Sequence, residues 1–319
     1  MGRMIVTVTA NPSIDRAVRL DGPLVHGEVQ RALDAREDAG GKGVNVARAL
    51  RSAGVETIAV VPCADDDPFR LLLEHEGVPA RRVPVAGRVR ANLTITDPDG
   101  TTTKLNMPGP RLSETETSAL VEAISVSAEG AEWIVFAGSL PPGVGDDFYS
   151  VAIAAVRERW GARAPKIAVD TSGAALERVV AGGRPDLIKP NELELAELVG
   201  ETLDGGTDVI ASSARLAHLL VPHRVGAALV TLGGDGALLV APDGVLRAHA
   251  PRITVASTVG AGDSSLAGYL IADVSGADAT ARLRRAVSYG AAAASLPGTQ
   301  IPTPGDIPAW DIAVEPYAS

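Results

Sequence analysis

Short apolar runs alternate with amphipathic stretches along most of the chain. The apolar runs predict strands, which lie at residues 5–9, 57–61, 133–137, 167–170, 186–188 and 227–232. The stretches between and after them predict helices, which lie at residues 43–53, 68–76, 114–128, 146–160, 191–199, 208–220, 261–274 and 279–296. Continuous apolar strands separated by helices are typical of a parallel sheet that is covered on both faces. The pattern therefore predicts an α/β fold with a mostly parallel central sheet.

Two segments depart from this alternation. Residues 11–36 contain no convincing helix, and residues 88–107 form a hairpin pattern around the turn Asp97-Pro98-Asp99-Gly100. Polar and apolar residues alternate at positions 92–96, which is typical of a sheet with one open face. We therefore expect a small antiparallel sheet beside the core, acting as a lid over a site or as a decoration without function. The prolines at 302, 304 and 308 predict an extended tail.

Composition limits how the 319 residues can be organised. Hydrophobic residues make up 46% of the chain and aromatic residues 3%, so Ala, Val, Leu and Ile must fill the core. The length allows two domains or one large α/β unit. Because the candidate chemical segments are spread from Asp15 to Asp263 and the predicted sheet runs through most of that span, we interpret residues 1–319 as one domain. Its lid would be formed by about residues 11–36 and 88–107.

The charge pattern excludes several classes of partner. The formal net charge is −10 and the chain contains no stretch of five or six Lys or Arg, so nucleic acid is not expected as the main partner. No apolar run approaches the length of a membrane-spanning helix. Cys63 is the single cysteine, and the chain shows no signal-peptide pattern, so we expect a cytoplasmic protein without disulfides.

The segment from Ser257 to Ser264 carries the strongest chemical signal. Its glycines, Gly260 and Gly262, stand where the Ala-rich helix at 261–274 is predicted to begin. Glycines there let a ligand approach the free N–H groups and the positive end of the helix dipole. Asp263 lies in the first turn, where a carboxylate can accept the proton of an attacking hydroxyl. The alternative interpretation is a plain helix start that is stabilised by an acidic residue.

A second glycine cluster, Gly40-Gly41-Lys42-Gly43, also precedes a predicted helix, and Asn45 follows it. Its backbone could bind sugar hydroxyls and Lys42 could bind an anion, or the segment could be a tight turn with a solvated lysine. It is not a Walker A loop, because Gly43 stands where that motif requires Ser or Thr.

Three other loops follow predicted strands, at the edge where open α/β sheets bind ligands. The first is Gly138 to Gly143. The second begins at Lys189-Pro190-Asn191, and Asn191 with Glu194 could hold hydrated Mg²⁺ or form a helix capping box. The third, Thr231 to Gly236, could be a glycine turn over a nucleotide or a simple β-turn.

Together these five segments resemble the PfkB (ribokinase-like) carbohydrate kinases over essentially the whole chain. Gly40 to Asn45 is similar to the first signature of that family, and Ser257 to Asp263 is similar to the second. Asn11 to Arg16 and Thr103 to Pro110 add a likeness to the hexose-phosphate branch, above all to 1-phosphofructokinases. The resemblance implies a three-layer αβα sandwich with a β-sheet lid. It also implies that ATP, with Mg²⁺, phosphorylates a sugar phosphate.

The resemblance also implies a role for each matching residue. Asp263 would be the general base, and Gly260, Ala261 and Gly262 would form the anion hole. Sugar hydroxyls would be bound by Asp15, Gly40, Gly41 and Asn45. The nucleotide would be bound by Lys189, Asn191, Thr231, Gly233 and Gly236. Glu194 would hold Mg²⁺ through water.

The acceptor depends on the cations near the site. Candidates for a phosphate clamp are Arg31, Lys42, Arg90 and Lys104, with the hydroxyl of Ser139. Minor 6-phosphofructokinases tend to carry Arg where this chain has Lys104, which favours fructose 1-phosphate as the acceptor at O6. Tagatose 6-phosphate and fructose 6-phosphate remain alternatives, as does a non-enzymatic sugar-phosphate sensor on this fold. A dinucleotide-dependent dehydrogenase is excluded, because no G-x-G-x-x-G follows the first strand. Lid sheets often pair in this family, so we expect a homodimer through the lid.

Overall fold

The computed structural model describes residues 3–203 and 208–318, which fold into two β-sheets and nine α-helices within those ranges. The strands are β1 (Ile5–Val8), β2 (Ser13–Leu20), β3 (Ala32–Gly40), β4 (Thr57–Pro62), β5 (Ala80–Val83), β6 (Arg90–Thr96), β7 (Thr102–Asn106), β8 (Trp133–Ala137), β9 (Lys166–Asp170), β10 (Leu187–Ile188), β11 (Ala227–Thr231), β12 (Ala237–Ala241), β13 (Gly244–Ala248) and β14 (Val314–Pro316). The helices are α1 (Lys42–Ser52), α2 (Phe69–His75), α3 (Glu114–Ser127), α4 (Phe148–Trp160), α5 (Gly173–Arg178), α6 (Glu192–Leu198), α7 (Val209–His218), α8 (Ala261–Val274) and α9 (Ala279–Ser295).

The larger sheet, the main sheet, has the strand order β14-β13-β12-β11-β10-β9-β8-β1-β4-β5. All neighbours from β11 to β5 are parallel, whereas β12, β13 and β14 are added in antiparallel fashion. Since the carboxyl ends of parallel strands meet at one edge, the loops after β1, β8, β9, β10 and β11 lie side by side. The predicted α/β fold is confirmed.

Helices cover both faces of the main sheet because its strands are apolar on both sides. Ile5, Val135 and Leu229 face the layer that contains α1, α8 and α9. Val6 and Phe136, on neighbouring positions, face the layer that contains α3 to α7. Helix α2 packs on α1 in the first layer. The result is the three-layer αβα sandwich that the family resemblance implies.

The smaller sheet, the small sheet, has the order β3-β2-β6-β7. Strands β2 and β6 are parallel, and the outer pairs are antiparallel. In this register Asp15 lies opposite Asn92 and Asp38, and Lys104 lies opposite Thr94. Because successive side chains alternate between faces, these residues and Arg90 share one face of the small sheet. The other face carries Val18, Ile95 and Leu105.

Several elements lie outside the sequence predictions, including β5 at residues 80–83. Strand β14 is built from the proline-rich tail and pairs with β13 at the edge of the main sheet. Helix α5 was not predicted, and β3 extends through the charged segment up to Gly40. No helix within residues 3–203 and 208–318 is long and apolar enough to cross a membrane.

Candidate active site

A polar cavity of about 390 Å³ lies between the carboxyl edge of the main sheet and the small sheet. Asp15, Arg90 and Asn92 line it from the small sheet. From the main sheet and its helices come Gly41, Lys42, Asn45, Lys189, Asn191, Glu194, Thr231, Gly260, Gly262 and Asp263. The structure therefore brings together residues from four of the five segments that the sequence singles out, although they are separated by more than two hundred positions.

The amino terminus of α8 points into this cavity. Gly260 precedes the helix with a φ of 75°, a left-handed conformation that favours glycine. The N–H groups of Gly262 and Asp263 belong to the first turn, where no preceding carbonyl is available to accept them. Gly262 has no side chain, and a Cβ there would lie 3.0 Å from Lys189 Nζ. The helix start thus offers free N–H donors beside an ammonium group, which suits an anionic ligand.

Asp263 is buried in the first turn of α8. Its Oδ2 accepts a hydrogen bond of 2.8 Å from Nδ2 of Asn45, which α1 carries. Burial, and then repulsion by Asp170, raise the pKa of the Asp263 carboxyl to about 6. A carboxylate with a pKa near neutrality is suited to take a proton from a hydroxyl, because it is ionised yet basic.

Asp170 forms the charged centre of the site. It ends β9 with no exposed surface, and its carboxylate lies 2.8 Å from Lys42 Nζ and 3.2 Å from Lys189 Nζ. Although burial opposes ionisation, the two lysines hold the pKa of Asp170 below its ordinary value. Burial would also lower the pKa of Lys42, but Asp170 and Asp263 raise it far above normal. Two buried carboxylates, the buried ammonium of Lys189 and the partly exposed ammonium of Lys42 therefore lie together.

Sequence reasoning missed Asp170. It appears there only as the last residue of a predicted strand, and its partners come from two other loops. The available signal was an acidic residue at the carboxyl end of a buried strand, in a sheet whose neighbouring loops were already candidates.

The small sheet supplies polar groups to the opposite wall of the cavity. Asp15 Oδ1 accepts hydrogen bonds from Ser13 Oγ at 2.7 Å and from Asn92 Nδ2 at 3.0 Å. Gly40 lies directly against this carboxylate, since a Cβ there would come within 2.2 Å of Asp15 Oδ2. The first glycine of the cluster is therefore required by packing, and Asp15 is held in a fixed position facing the cavity.

Arg90 begins β6 at the same wall. Its guanidinium donates to the carbonyl oxygens of Met107, at 2.9 Å, and Asn11, at 3.2 Å. Among the residues that the structure describes, no carboxylate forms a salt bridge with it. Burial lowers the pKa of Arg90, while Asp15 opposes that shift. An oriented guanidinium without a paired carboxylate is a suitable ligand for a phosphate group.

A second cavity of about 410 Å³ adjoins the first. The two share Asn191, Thr231, Thr258 and Gly262. The second is mostly apolar, and its walls include Gly233, Gly236, Ile253, Val255, Val287 and Ala294. Gly236 has a φ of 95°, and a Cβ there would lie 2.0 Å from the Ala248 carbonyl oxygen, so only glycine fits. The shape suits a flat apolar ring whose charged end reaches α8.

Asn191 and Glu194 form the capping box that the sequence offered as an alternative. Glu194 N–H donates to Asn191 Oδ1 at 2.8 Å, and Asn191 N–H donates to Glu194 Oε2 at 2.9 Å. Glu194 also lines the polar cavity. No group of three His, Cys, Asp or Glu residues in the described part of the chain could enclose a metal ion. One carboxylate that keeps a free oxygen fits a magnesium ion held through water and substrate phosphates.

Three predicted clamp residues lie outside both cavities. Lys104 is exposed on the edge strand β7, although it shares the face that carries Arg90. Arg31 is exposed just before β3. Ser139 is exposed in the loop after β8, and its Oγ lies 3.4 Å from Nδ2 of Asn11. Their roles remain predictions.

Known proteins with similar sequences and structures agree on the family. The model of the pfkB family carbohydrate kinases matches residues 8–306. The 1-phosphofructokinase of Rhodobacter capsulatus is 37% identical over 296 residues, which are 90% of each chain. That of Haloferax volcanii is 34% identical over 308 residues, which are 95% of each chain.

A solved structure gives the same result for the fold. Phosphofructokinase-2 from Escherichia coli, in complex with substrates and products, has a TM-score of 0.85 at 30% identity. The match covers 95% of this chain and 96% of that chain. Both signature segments, the glycine cluster before α1 and the start of α8, lie within residues 8–306, which the family model matches. This chain belongs to the pfkB family of carbohydrate kinases.

Proposed function

We propose that this kinase transfers the γ-phosphoryl group of ATP to O6 of fructose 1-phosphate and so produces fructose 1,6-bisphosphate. One observation carries the proposal: a buried carboxylate of raised pKa, Asp263, lies at a helix amino terminus where a polar and an apolar cavity meet. The relatives named 1-phosphofructokinase indicate which sugar phosphate to test first.

Asp263 is the general base of the proposed reaction. Its carboxylate accepts the proton of the O6 hydroxyl while that oxygen forms a bond to the γ-phosphorus. The bond between the γ-phosphorus and the bridging oxygen breaks at the same stage, and ADP leaves with that oxygen. Asn45 holds the carboxylate by a bond of 2.8 Å, so the base is oriented before the substrate arrives.

The protein stabilises the transferring group mainly by charge. We assign its equatorial oxygens to the N–H groups of Ala261, Gly262 and Asp263 and to the ammonium of Lys189. When bound, Mg²⁺ neutralises charge on the nucleotide phosphates, and Glu194 and Asn191 are the residues placed to hold its waters. The nucleotide would bind against Thr231, Gly233 and Gly236.

A phosphorylated acceptor is supported by the wall opposite Asp263. Asp15 and Asn92 offer a carboxylate and an amide to sugar hydroxyls, and Arg90 offers a positive charge for the phosphate already on the sugar. Lys104, Arg31 and Ser139 would complete this clamp. All three lie outside the cavity. The contribution of Lys104 and Arg31 requires the small sheet to act as a lid that moves towards the substrate, whereas Ser139 lies in the loop after β8 of the main sheet.

An acceptor panel tests the proposal. Coupled ADP release should be measured with fructose 1-phosphate, fructose 6-phosphate, tagatose 6-phosphate, fructose and ribose at equal concentrations, and the product with the first acceptor identified by mass. We expect the highest kcat/KM for fructose 1-phosphate. A preference for tagatose 6-phosphate or fructose 6-phosphate would change the substrate but keep the mechanism. A preference for an unphosphorylated sugar would contradict the clamp, and sugar-phosphate binding without ADP release would indicate a sensor.

We also propose that two chains associate through the lid, which comprises the small sheet and the loop between β2 and β3. Eleven large hydrophobic side chains are exposed in the described part of the chain, and six of them lie in the predicted lid segments: Leu24, Val25, Val29, Leu33, Leu105 and Met107. Clustered exposed apolar residues typically mark an interface. Light scattering after size exclusion should give about twice the chain mass of 32.6 kDa. A monomer at working concentration would contradict the pairing.

The cytoplasm is the proposed compartment. Cys63 is a free, buried cysteine. A chain without disulfides is typical of reducing compartments. Fractionation of the source cells with an antibody against the protein would test this placement.

A further inference from the structure

A buried ionic cluster lies at the base of the small sheet, outside both cavities. It consists of Asp38 on β3, Arg48 on α1, Glu76 just after α2, and Thr299 in the loop after α9, with Arg36 at its exposed side. Asp38 is 3% exposed, so its charge needs partners. The reaction proposed above uses none of these residues, and their elements all meet near the point where the small sheet joins the rest of the protein.

Each oxygen of Asp38 has its own partner. Oδ1 accepts from Arg36 Nε at 2.8 Å, and Oδ2 accepts from Thr299 Oγ1 at 2.8 Å. The second bond is buried and joins residues 261 positions apart. It therefore links the small sheet to the loop that follows α9, and no backbone hydrogen bond among residues 3–203 and 208–318 makes that connection.

That loop also touches the anion hole. Ile301 Cδ1 lies 3.3 Å from the position that a Cβ on Gly260 would occupy. Three residues earlier, Gly298 faces Ala17 of β2, with 3.9 Å between the Ala17 Cβ and the position of a Cβ on Gly298. Residues 298–301 thus form a strut, with the small sheet on one side and the start of α8 on the other.

The cluster continues on the other side of Asp38. The N–H of Ala39 donates to Glu76 Oε1 at 2.9 Å, and Glu76 is paired with Arg48. The next residue, Gly40, packs against the Asp15 carboxylate. A displacement of β3 at Asp38 therefore moves Gly40 and, through it, Asp15, which lines the cavity on the side proposed to bind the sugar.

We propose that Asp38 and Thr299 are positioning residues for phosphoryl transfer. Their hydrogen bond sets the distance between the small sheet, which carries Asp15 and Arg90, and the anion hole at Gly260. This inference rests on the proposed function, because it assigns the small sheet to the acceptor and α8 to the transferring phosphoryl group. It concerns residues that contact neither.

Thr299→Val tests the inference, since it removes the hydroxyl and keeps the shape. Loss of the bond lets the small sheet shift, so the KM for fructose 1-phosphate should rise and kcat should fall, each about 3–30-fold. The KM for ATP should stay within about twofold, because the apolar cavity does not depend on the strut. Thr299→Ser keeps the hydroxyl and should restore most of the activity.

Thr57→Val is the matched control. Thr57 Oγ1 also donates a buried bond of 2.8 Å, to the Ile5 carbonyl, but at the amino edge of the main sheet. It should lower the melting temperature as much as Thr299→Val while leaving both KM values unchanged. If Thr299→Val does not accumulate as folded protein, Ile301→Ala can be used instead, because it removes the contact between the strut and Gly260. It should also raise the KM for the acceptor and leave the KM for ATP nearly unchanged.

Hydrogen exchange supplies a readout that needs no acceptor. Amides of β2 and β3 should exchange faster in Thr299→Val than in the wild type and Thr57→Val, whereas those of β11 should not change. Equal losses for both substrates, or unchanged exchange in β2 and β3, would overturn the inference. If the wild type shows no kinase activity, the proposed function fails, but the exchange result still decides whether the strut holds the small sheet.

Discussion

The two walls of the polar cavity differ in how they are built. The carboxyl edge of the main sheet is covered by helices on both faces, and Asp170 and Asp263 are buried there. The small sheet is covered unevenly: β6 is half-buried along its length, and most of β7 is exposed. In the proposed reaction, the first wall carries the groups for chemistry, and the second carries the groups that select the acceptor.

The difference in burial explains why the two walls would have different roles. Charges that are removed from water interact strongly, so a few residues at the main sheet can raise the pKa of a carboxyl and fix two lysines. Charges on the small sheet remain partly hydrated and act more weakly. Residues on that wall can change without disturbing the base, which is consistent with a family that phosphorylates different sugars on one fold. The comparison predicts that substitutions at the first wall reduce kcat, whereas those at the second raise KM.

Asp263→Asn should have the largest effect, because it removes the base but keeps the shape. We expect kcat to fall about 10²–10⁴-fold while the acceptor still binds. The melting temperature should rise. The folded pKa of about 6 exceeds the unfolded value of 3.8, so the contribution of Asp263 is greatest at low pH and is lost as pH rises through 6. Near neutral pH, the neutral side chain should stabilise the protein by about 1–3 kcal/mol.

Asp273→Asn is the matched control on the same helix. The side chain of Asp273 is 5% exposed at the other end of α8, where it accepts a 2.8 Å bond from Trp133 Nε1 and pairs with Arg282 at 3.0 Å. Its replacement should destabilise the protein and leave kcat unchanged. Steady-state kinetics and thermal unfolding at pH 7.5 separate the two variants. Near-normal turnover of Asp263→Asn would remove Asp263 from its role.

Asp170→Asn should have the next largest effect. Lys42 and Lys189 lose the carboxylate that orients them, so kcat should fall about 10–100-fold. The pH dependence of kcat/KM gives a more specific test of Asp170. In the wild type kcat/KM should decline as pH falls through about 6, because the base becomes protonated. Without the repulsion from Asp170, the pKa of Asp263 falls and this acid limb should move to lower pH.

Asp186→Asn controls for the loss of a carboxylate from the main sheet. Asp186 Oδ2 accepts a bond of 2.7 Å from the N–H of Ile167, at the amino edge of the sheet. It should change stability without moving the acid limb. An unchanged limb in Asp170→Asn would show that Asp170 does not act on the base.

The sequence predicted the first wall well because its signals are local. The range 261–274 agrees with α8 at both ends, since glycines, an acid in the first turn and an apolar helix stand next to one another. Asp170 could not be found in this way. Its role exists only where Lys42 and Lys189 converge on it, from positions 128 residues before it and 19 residues after it. Strand β14 was missed for the same reason, because its pairing with β13 is long-range.

The hairpin of the second wall, formed by β6 and β7, was predicted from the sequence, but the full extent of the small sheet was not. The segment from 32 to 40 alternates charged residues with Ala and Leu and carries no apolar stripe, so β3 was not recognised. Its register is determined by pairing with β2, which places Asp38 opposite Asp15. The roles of Arg31, Lys104 and Ser139 depend on where a substrate lies, and they remain predictions.

Arg90→Ala tests the second wall of the cavity, where a substitution should raise KM rather than lower kcat. The KM for fructose 1-phosphate should rise about 10–100-fold through loss of a charged hydrogen bond, while the KM for ATP stays unchanged. Arg157→Ala is the matched control, because Arg157 also donates to two carbonyl oxygens, those of Gly183 and Arg184, away from the cavities. Fructose without a phosphate should be a poor acceptor for both the wild type and Arg90→Ala. Equal increases in both KM values would indicate general damage rather than loss of a phosphate contact.

Lys104→Ala should have the smallest effect. Because Lys104 is exposed on an edge strand, water and salt screen its charge, and we expect KM for fructose 1-phosphate to rise only about 2–5-fold with unchanged kcat. The difference should disappear in high salt, whereas that of Arg90→Ala should persist because Arg90 is partly buried. Arg16→Ala removes a cation from the opposite face of the same sheet and should have no effect on KM. If Lys104→Ala instead matched Arg90→Ala and resisted salt, Lys104 would be desolvated in the complex, and the small sheet would have to close over the acceptor more tightly than its exposed outer strand suggests.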